Sequence, residues 1–213
     1  MALQQEQGST GQPAQLPNGS NRQSYDREAP VDVHRREKID YLTTNEVEQL
    51  MKGAKQSRNP ERDQLLILML FRHGFRESEA IIARREWVDF NKAVLWVERL
   101  KSGMSRYHPI VGDELRLLRK YLRIRNDDLP WLFISERNGP LSDRSVRAIV
   151  SSAAKAAKLR HVHPHMLRHS CGFYLLESGN DSRVIQEYLG HASIRSTAIY
   201  TRLSGKAFEG LWR

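Results

Sequence analysis

Cysteine is nearly absent: one thiol, Cys171, occurs in 213 residues. A single thiol rules out an intramolecular disulfide and a thiolate-rich zinc site, and fits a reducing, cytoplasmic setting. Cys171 stands beside Gly172 in an apolar run, with no base at a spacing that marks a cysteine enzyme, so it reads as a buried structural thiol. Long hydrophobic runs are also missing. The longest, "LLILMLF" at 65–71, is far too short to cross a bilayer. The opening "MALQQEQGSTGQPAQLPNGSNRQ" has neither the apolar core of a signal peptide nor a basic leader. A membrane role is not expected. Acidic charge is in deficit, with 25 Asp and Glu against 34 Lys and Arg and a net charge of +9. That imbalance favours polyanionic partners, nucleic acid before anionic membrane.

What is present is one folded unit behind a polar tail. Residues 1–38 are rich in Gln, Gly, Pro, Ser and Asn, without aliphatic periodicity, and read as disordered; Arg35 and Arg36 near their end are candidates to touch DNA. Residues 39–213 form the folded unit, with no internal repeat. "TTNE" spaces Thr43 and Glu46 as a capping box, followed by apolar Val47, Leu50 and Met51 at helical intervals. Further helices are expected from Pro60 to His73, closed by a left-handed Gly74, and near 77–84. The period then changes. "AVLWVERL" (93–100) and "RYHPI" (106–110) predict an antiparallel hairpin across "KSGMS", with a third short strand at "WLFIS" (131–135). Helices follow at about 112–125, 142–157, 164–178 (Pro164 in its first turn), 181–189, 193–200 and 204–211. The fold class is therefore mainly α with a small antiparallel β-sheet (α+β).

Four separated stretches carry chemistry. In "HPHMLRHS", His165 and Arg168 are three apart and share a helical face, whereas His169 is one step on and is expected to point elsewhere. A helical zinc motif needs an acid between two histidines four apart; His165 and His169 lack it, and an arginine on that face would repel a dication. In "RHGFRESEA", Arg76 follows Gly74 closely and stands three before Glu79, which can orient it. A guanidinium presents five donors in a fixed fork, suits a phosphate, and keeps its charge near neutral pH. In "RLKSGMSRYHP", Lys101 ends a strand before a glycine turn, where a side chain can reach into a groove. In "LGHASIRSTAIYT", Gly190 breaks a helix, His191 follows the break, and Tyr200 lies in an apolar stripe with Ile194, Ala198 and Ile199. Taken singly, each stretch has an ordinary explanation: an ion pair, a solvated hairpin tip, a basic surface, a core aromatic.

Together, Arg76, Lys101, His165, Arg168, His191 and Tyr200, in this order and in these contexts, resemble the tyrosine recombinase (phage integrase) family. The likeness runs from about Tyr41 to the C-terminus and includes "YLTTNEVEQL" and "LFIS…LS". Within the family, "RLK", "HPHMLRHSCGF" and the final "GLW" look most like the small recombinases that invert promoter segments to switch fimbrial genes. The resemblance implies the family's catalytic-domain fold and a reaction that cuts and rejoins DNA without metal, nucleotide or other cofactor. Tyr200 would be the nucleophile, forming a 3′-phosphotyrosyl intermediate, with Arg76 and Arg168 bracketing the phosphate, His165 assisting proton transfer, His191 holding the phosphate and Lys101 protonating the leaving 5′-oxygen. An unperturbed tyrosine has a pKa near 10, so its proton must be removed or the phenolate stabilised.

Partners implied by the resemblance are double-stranded DNA with paired recombination sites, a homo-tetramer assembled on it, and DNA-bending accessory proteins, in a cytoplasmic, nucleoid-associated setting. Many family members carry a separate N-terminal helical domain that closes round DNA. Only about 40 residues precede the catalytic unit here, so no such domain is expected. Arg84, Arg85, Arg144 and Arg147 are candidate phosphate contacts. The C-terminal segment, with Phe208, Leu211 and Trp212 at helical spacing, is expected to dock on its own chain or a neighbour. Integration or excision of a mobile element would use the same chemistry, as would a topoisomerase. A non-catalytic DNA-binding regulator would tolerate Tyr200→Phe.

Overall fold

The structure, a computed structural model, describes residues 41–100, 103–193, 197, 198 and 200. The expected polar tail, Lys101 and the expected C-terminal helix near 204–211 lie outside the described residues. Among the described residues no helix is long and apolar enough to cross a membrane.

Helix α1 (Thr44–Ala54) starts at the capping box. Thr43 Oγ1 accepts from the Glu46 amide at 3.3 Å, and Glu46 Oε2 accepts from the Thr43 amide at 2.8 Å, so two otherwise orphaned donors are satisfied reciprocally. Its buried Gly53 lies so close to α5 (Asp143–Ala156) that an added Cβ would sit 2.2 Å from the Ala153 carbonyl oxygen. Helix α2 (Pro60–Arg72) packs against α1, α4 (Gly112–Ile124) and α6 (Pro164–Glu177), which is why its run Leu65–Phe71 is apolar all round: every face meets protein. Helix α6 is buried almost as completely, and Tyr41 stacks on its Phe173 with ring centroids 3.9 Å apart. Two short helices, α3 (Glu77–Ile82) and α7 (Ser182–Leu189), flank this centre; Thr197, Ala198 and Tyr200 of the expected 193–200 helix are helical.

The hairpin forms as expected: β2 (Val94–Val97) pairs antiparallel with β3 (Arg106–Pro109), in register Leu95 to His108 and Val97 to Arg106. The third strand is not where the sequence pattern put it. It is β1 (Val88–Asp89), pairing with β2 in a sheet of order β1-β2-β3. The "WLFIS" segment makes only isolated bridges, Arg84 to Trp131 and Ile134 to Pro140. Leu132 and Phe133 are fully buried, but the carbonyls of Trp131 and Leu132 accept from the Arg125 guanidinium at 2.7 and 3.0 Å. Its apolar composition reflects burial, and a side chain takes the carbonyls that a sheet neighbour would have needed.

Candidate active site

Helix α2 ends where Gly74 adopts φ +57°, a conformation in which an added Cβ would strike Leu189 at 2.4 Å. The chain turns there, buries Phe75, and starts α3 with Arg76 as its N-cap residue. Glu79, one turn in, reaches back. Its Oε2 accepts from the Arg76 amide at 3.0 Å and its Oε1 from the Arg76 guanidinium at 2.6 Å. Both Glu79 carboxylate oxygens therefore engage Arg76. Oε2 also accepts from Arg99 at 2.6 Å and lies 3.8 Å from Arg168. Glu79 is 1% exposed. Burial alone would raise its pKa, but the charges of Arg99 and Arg168 and the hydrogen bonds from Arg76 outweigh that and hold it below the usual carboxylate range.

Arg168 projects from the buried face of α6 and is 1% exposed. Its guanidinium donates to the Gly74 carbonyl and, at 2.5 Å, to the Leu189 carbonyl, so two helix ends accept from it. Burial, then the nearby charges of Arg76 and Arg99, lower its pKa to about 10, which leaves it cationic at neutral pH.

Tyr200, 1% exposed, lies against α6. Its ring covers Gly172, meets Phe173 edge-on at 5.1 Å and lies 6.2 Å from the His191 ring. The hydroxyl is 3.3 Å from His169 Nδ1. His169 does not point elsewhere, as one-step spacing from Arg168 had suggested. Residues 169, 172 and 173 share the α6 flank that Tyr200 occupies, adjacent to the flank carrying 165 and 168. His165 and His169 meet edge to face with centroids 4.4 Å apart. His191 follows the left-handed Gly190 (φ +64°), which caps α7, and shares a 2.9 Å hydrogen bond between Nδ1 and Thr197 Oγ1.

Burial pushes the Tyr200 phenol up to about 12, partly offset by Arg168. Burial, then neighbouring charge, lowers His169 to about 4 and His191 to about 3, and depresses His165 as well. At neutral pH the site therefore holds a protonated tyrosine, neutral imidazoles and three guanidinium charges. Among the described residues no group of three or more His, Cys, Asp or Glu is arranged to hold a metal ion.

Arg76, Glu79, His165, Arg168, His191 and Tyr200 thus gather in one region, although they come from α3, α6, the turn after α7 and the segment beyond it. The remaining arginine candidates make other contacts. Arg85 donates to the Asp127 carbonyl at 2.8 Å and Arg147 to Glu77 at 2.8 Å, while Arg84 lies 3.8 Å from Glu86 and Arg144 is exposed in the first turn of α5. Cys171 is buried, with its thiol donating to the Arg72 carbonyl at 3.4 Å and its pKa raised by burial to about 12. Sequence reasoning missed Arg99 and Gly172. Arg99 stood inside a quoted motif, two residues from Lys101, yet nothing local distinguishes a buried arginine from a solvated one. Gly172 was the only hint, a glycine inside a strong helix.

A mainly helical unit with a small antiparallel sheet, setting a buried tyrosine among arginines and histidines, defines the catalytic unit of a tyrosine recombinase, an enzyme that cuts and rejoins DNA strands. The chain belongs to the phage integrase family, whose pattern matches residues 40–206. It is 39% identical over 180 residues to the type 1 fimbriae regulatory protein FimB of Escherichia coli K12, covering 82% of this chain and 90% of FimB. It is 39% identical over 168 residues to the tyrosine recombinase XerA of Pyrococcus furiosus, covering 78% of this chain and 58% of XerA. Among solved structures, an XerA recombinase superimposes with a TM-score of 0.70 at 28% identity, over 79% of this chain and 62% of that one.

Proposed function

We propose that this protein is a site-specific DNA recombinase that inverts a promoter segment between paired sites, cutting each strand through Tyr200. The observation that carries the chemistry is the seat of Tyr200: its hydroxyl lies 3.3 Å from a neutral imidazole, on the helix that also delivers Arg168. In the reaction, the Tyr200 oxygen attacks the scissile phosphorus and a 3′-phosphotyrosine forms. His165, packed against His169, assists transfer of the Tyr200 proton. The bond to the 5′-oxygen breaks, and Lys101 protonates that oxygen to leave a free 5′-hydroxyl. Arg76 and Arg168, held by Glu79 and Gly74, meet the charge gathering on the nonbridging oxygens, and His191 adds a hydrogen bond. Because the backbones are already placed, these donors need little reorganisation as the charge develops. The phosphotyrosyl bond conserves the energy of the broken phosphodiester, so a 5′-hydroxyl from another strand reverses the step without cofactor.

Support for inversion comes from the likeness to the fimbriae regulatory protein FimB, 39% identical over 90% of its length. Strand exchange calls for four protomers on two sites, with DNA-bending proteins bringing the sites together at the nucleoid. Arg84, Arg85, Arg144 and Arg147 are proposed to contact phosphates, and the C-terminal segment to dock between protomers. The test is a suicide-substrate assay. Protein is incubated in EDTA with nicked duplexes tiled from the DNA flanking its gene, and covalent adducts are resolved on a denaturing gel. The expected result is an adduct with one duplex that disappears in Tyr200→Phe. An adduct that survives Tyr200→Phe would refute Tyr200 as the nucleophile.

A further inference from the structure

Two residues beyond the end of β2, a basic side chain near a hairpin tip would ordinarily lie in water, and Arg99 does not. It is 5% exposed, and its guanidinium makes four bonds: to Glu79 Oε2 at 2.6 Å, and to the carbonyls of Tyr188, His73 and Gly74 at 2.7, 2.9 and 3.3 Å. Those acceptors lie at the end of α2, within α3 and at the end of α7, the elements that lead to Arg76 and His191. Its own amide donates to Ser105 Oγ at 3.0 Å, across the hairpin. The hairpin is further locked to α7. An added Cβ at Gly103 would fall 2.7 Å from the Gly190 carbonyl, one at Gly190 would fall 3.0 Å from Arg99 Cγ, and Arg106 pairs with Glu187 at 3.0 Å.

Two acceptors are shared, and the sharing matters. Glu79 gives Oε2 to Arg99 and Oε1 to Arg76, while the Gly74 carbonyl serves both Arg99 and Arg168. Without Arg99, Oε2 would face Arg168, 3.8 Å away, as its nearest uncompensated charge. Glu79 would turn toward Arg168, and the bond that aims the Arg76 guanidinium would be lost. A buried ion pair adds little stability over apolar packing, but removing one partner leaves the other uncompensated and free to move to a new one.

We propose that Arg99 is a positioning residue for DNA cleavage. It occupies Glu79 Oε2 and braces the Gly74 carbonyl so that Arg76 and Arg168 present their free donors to the scissile phosphate, and it ties the hairpin to the turn that carries His191. This rests on the reading of Arg76 and Arg168 as phosphate-binding groups. The test uses the full chain and the duplex that yields the Tyr200 adduct, made once with its natural phosphate and once with a neutral methylphosphonate at the scissile position. A neutral centre gathers one negative charge fewer in the transition state than the natural phosphate does, so a defect in the arginines' aim costs less there.

Arg99→Met is expected to bind the duplex within about threefold of the parent but to form adduct ~100-fold more slowly, the scale of an ångström-sized misplacement. On the methylphosphonate the deficit shrinks to under about tenfold, in parallel with Arg76→Ala. Arg99→Lys keeps one charged donor but not the fork and falls between, so it carries the same substrate comparison if Arg99→Met does not fold. Equal deficits on both substrates would overturn the proposal, since Arg99 would then support only the fold. Arg76→Ala at the parent's rate on the natural duplex would instead refute the phosphate-binding reading itself.

Discussion

Gly172→Ala separates the stability of this protein from its chemistry. In the middle of α6 the substitution favours folding, since alanine is better than glycine in a helix interior by roughly 1 kcal/mol. The new methyl, however, would lie 2.4 Å from Cε2 and Cζ of Tyr200 and 2.9 Å from its hydroxyl oxygen. Ordinary contact begins near 3.4 Å, so the ring must retreat by about 1 Å. The obstacle is helix backbone, which does not yield. Retreat breaks the 3.3 Å approach of the hydroxyl to His169 and moves the oxygen of the proposed nucleophile out of line. A displacement of that size costs on the order of a hundredfold in rate. Melting temperature, duplex affinity and the rate of covalent adduct formation on the nicked duplex are the three readouts. The helix gain and the cost of overpacking the buried ring largely offset each other, so the expected pattern is a melting temperature unchanged or modestly lowered, unchanged affinity and cleavage slowed ~100-fold. Cleavage at or above the parent's rate in the folded variant would show that Tyr200 does not attack from this seat.

Removing Glu79 with Glu79→Ala leaves three guanidinium groups without their shared counter-ion and is expected to lower the unfolding free energy by about 3–5 kcal/mol; a loss under about 1 kcal/mol in urea titration would contradict the hub role. Acidification provides another check, with a defined sign. His108, buried between His73 and Tyr188, is depressed to about 2, chiefly by burial, and His169 to about 4. Both are neutral when folded but take a proton when unfolded below about 6.5, so stability falls as pH drops through that value. At pH 5 the fully buried His108 alone accounts for about 2 kcal/mol, and a melting temperature that stays flat between pH 7.5 and pH 5 would refute the assignment. Thr43→Ala removes the capping-box acceptor of α1 and should lower stability by about 1 kcal/mol without slowing cleavage in proportion.

Local order was legible in the residues themselves because its causes are local. Thr43 and Glu46 announce a helix start three residues apart, Pro60 and Gly74 bracket α2, and alternating β-branched and aromatic residues mark β2 and β3. The side chains of the candidate site were legible too, because the proposed phosphate chemistry calls for particular groups in particular motifs, and Arg76, His165, Arg168, His191 and Tyr200 lie in them. What the sequence could not determine depends on which distant segments meet. The third strand is Val88–Asp89 because Arg125 occupies the carbonyls of the more strand-like "WLFIS". His169 belongs to the site because Tyr200, 31 residues later, lies on its side of α6. Arg99 is buried because the ends of α2 and α7 bring carbonyls to it from 26 residues before and 89 residues after. A guanidinium has the same donors in water and in a core; only the packed chain decides which oxygens they meet.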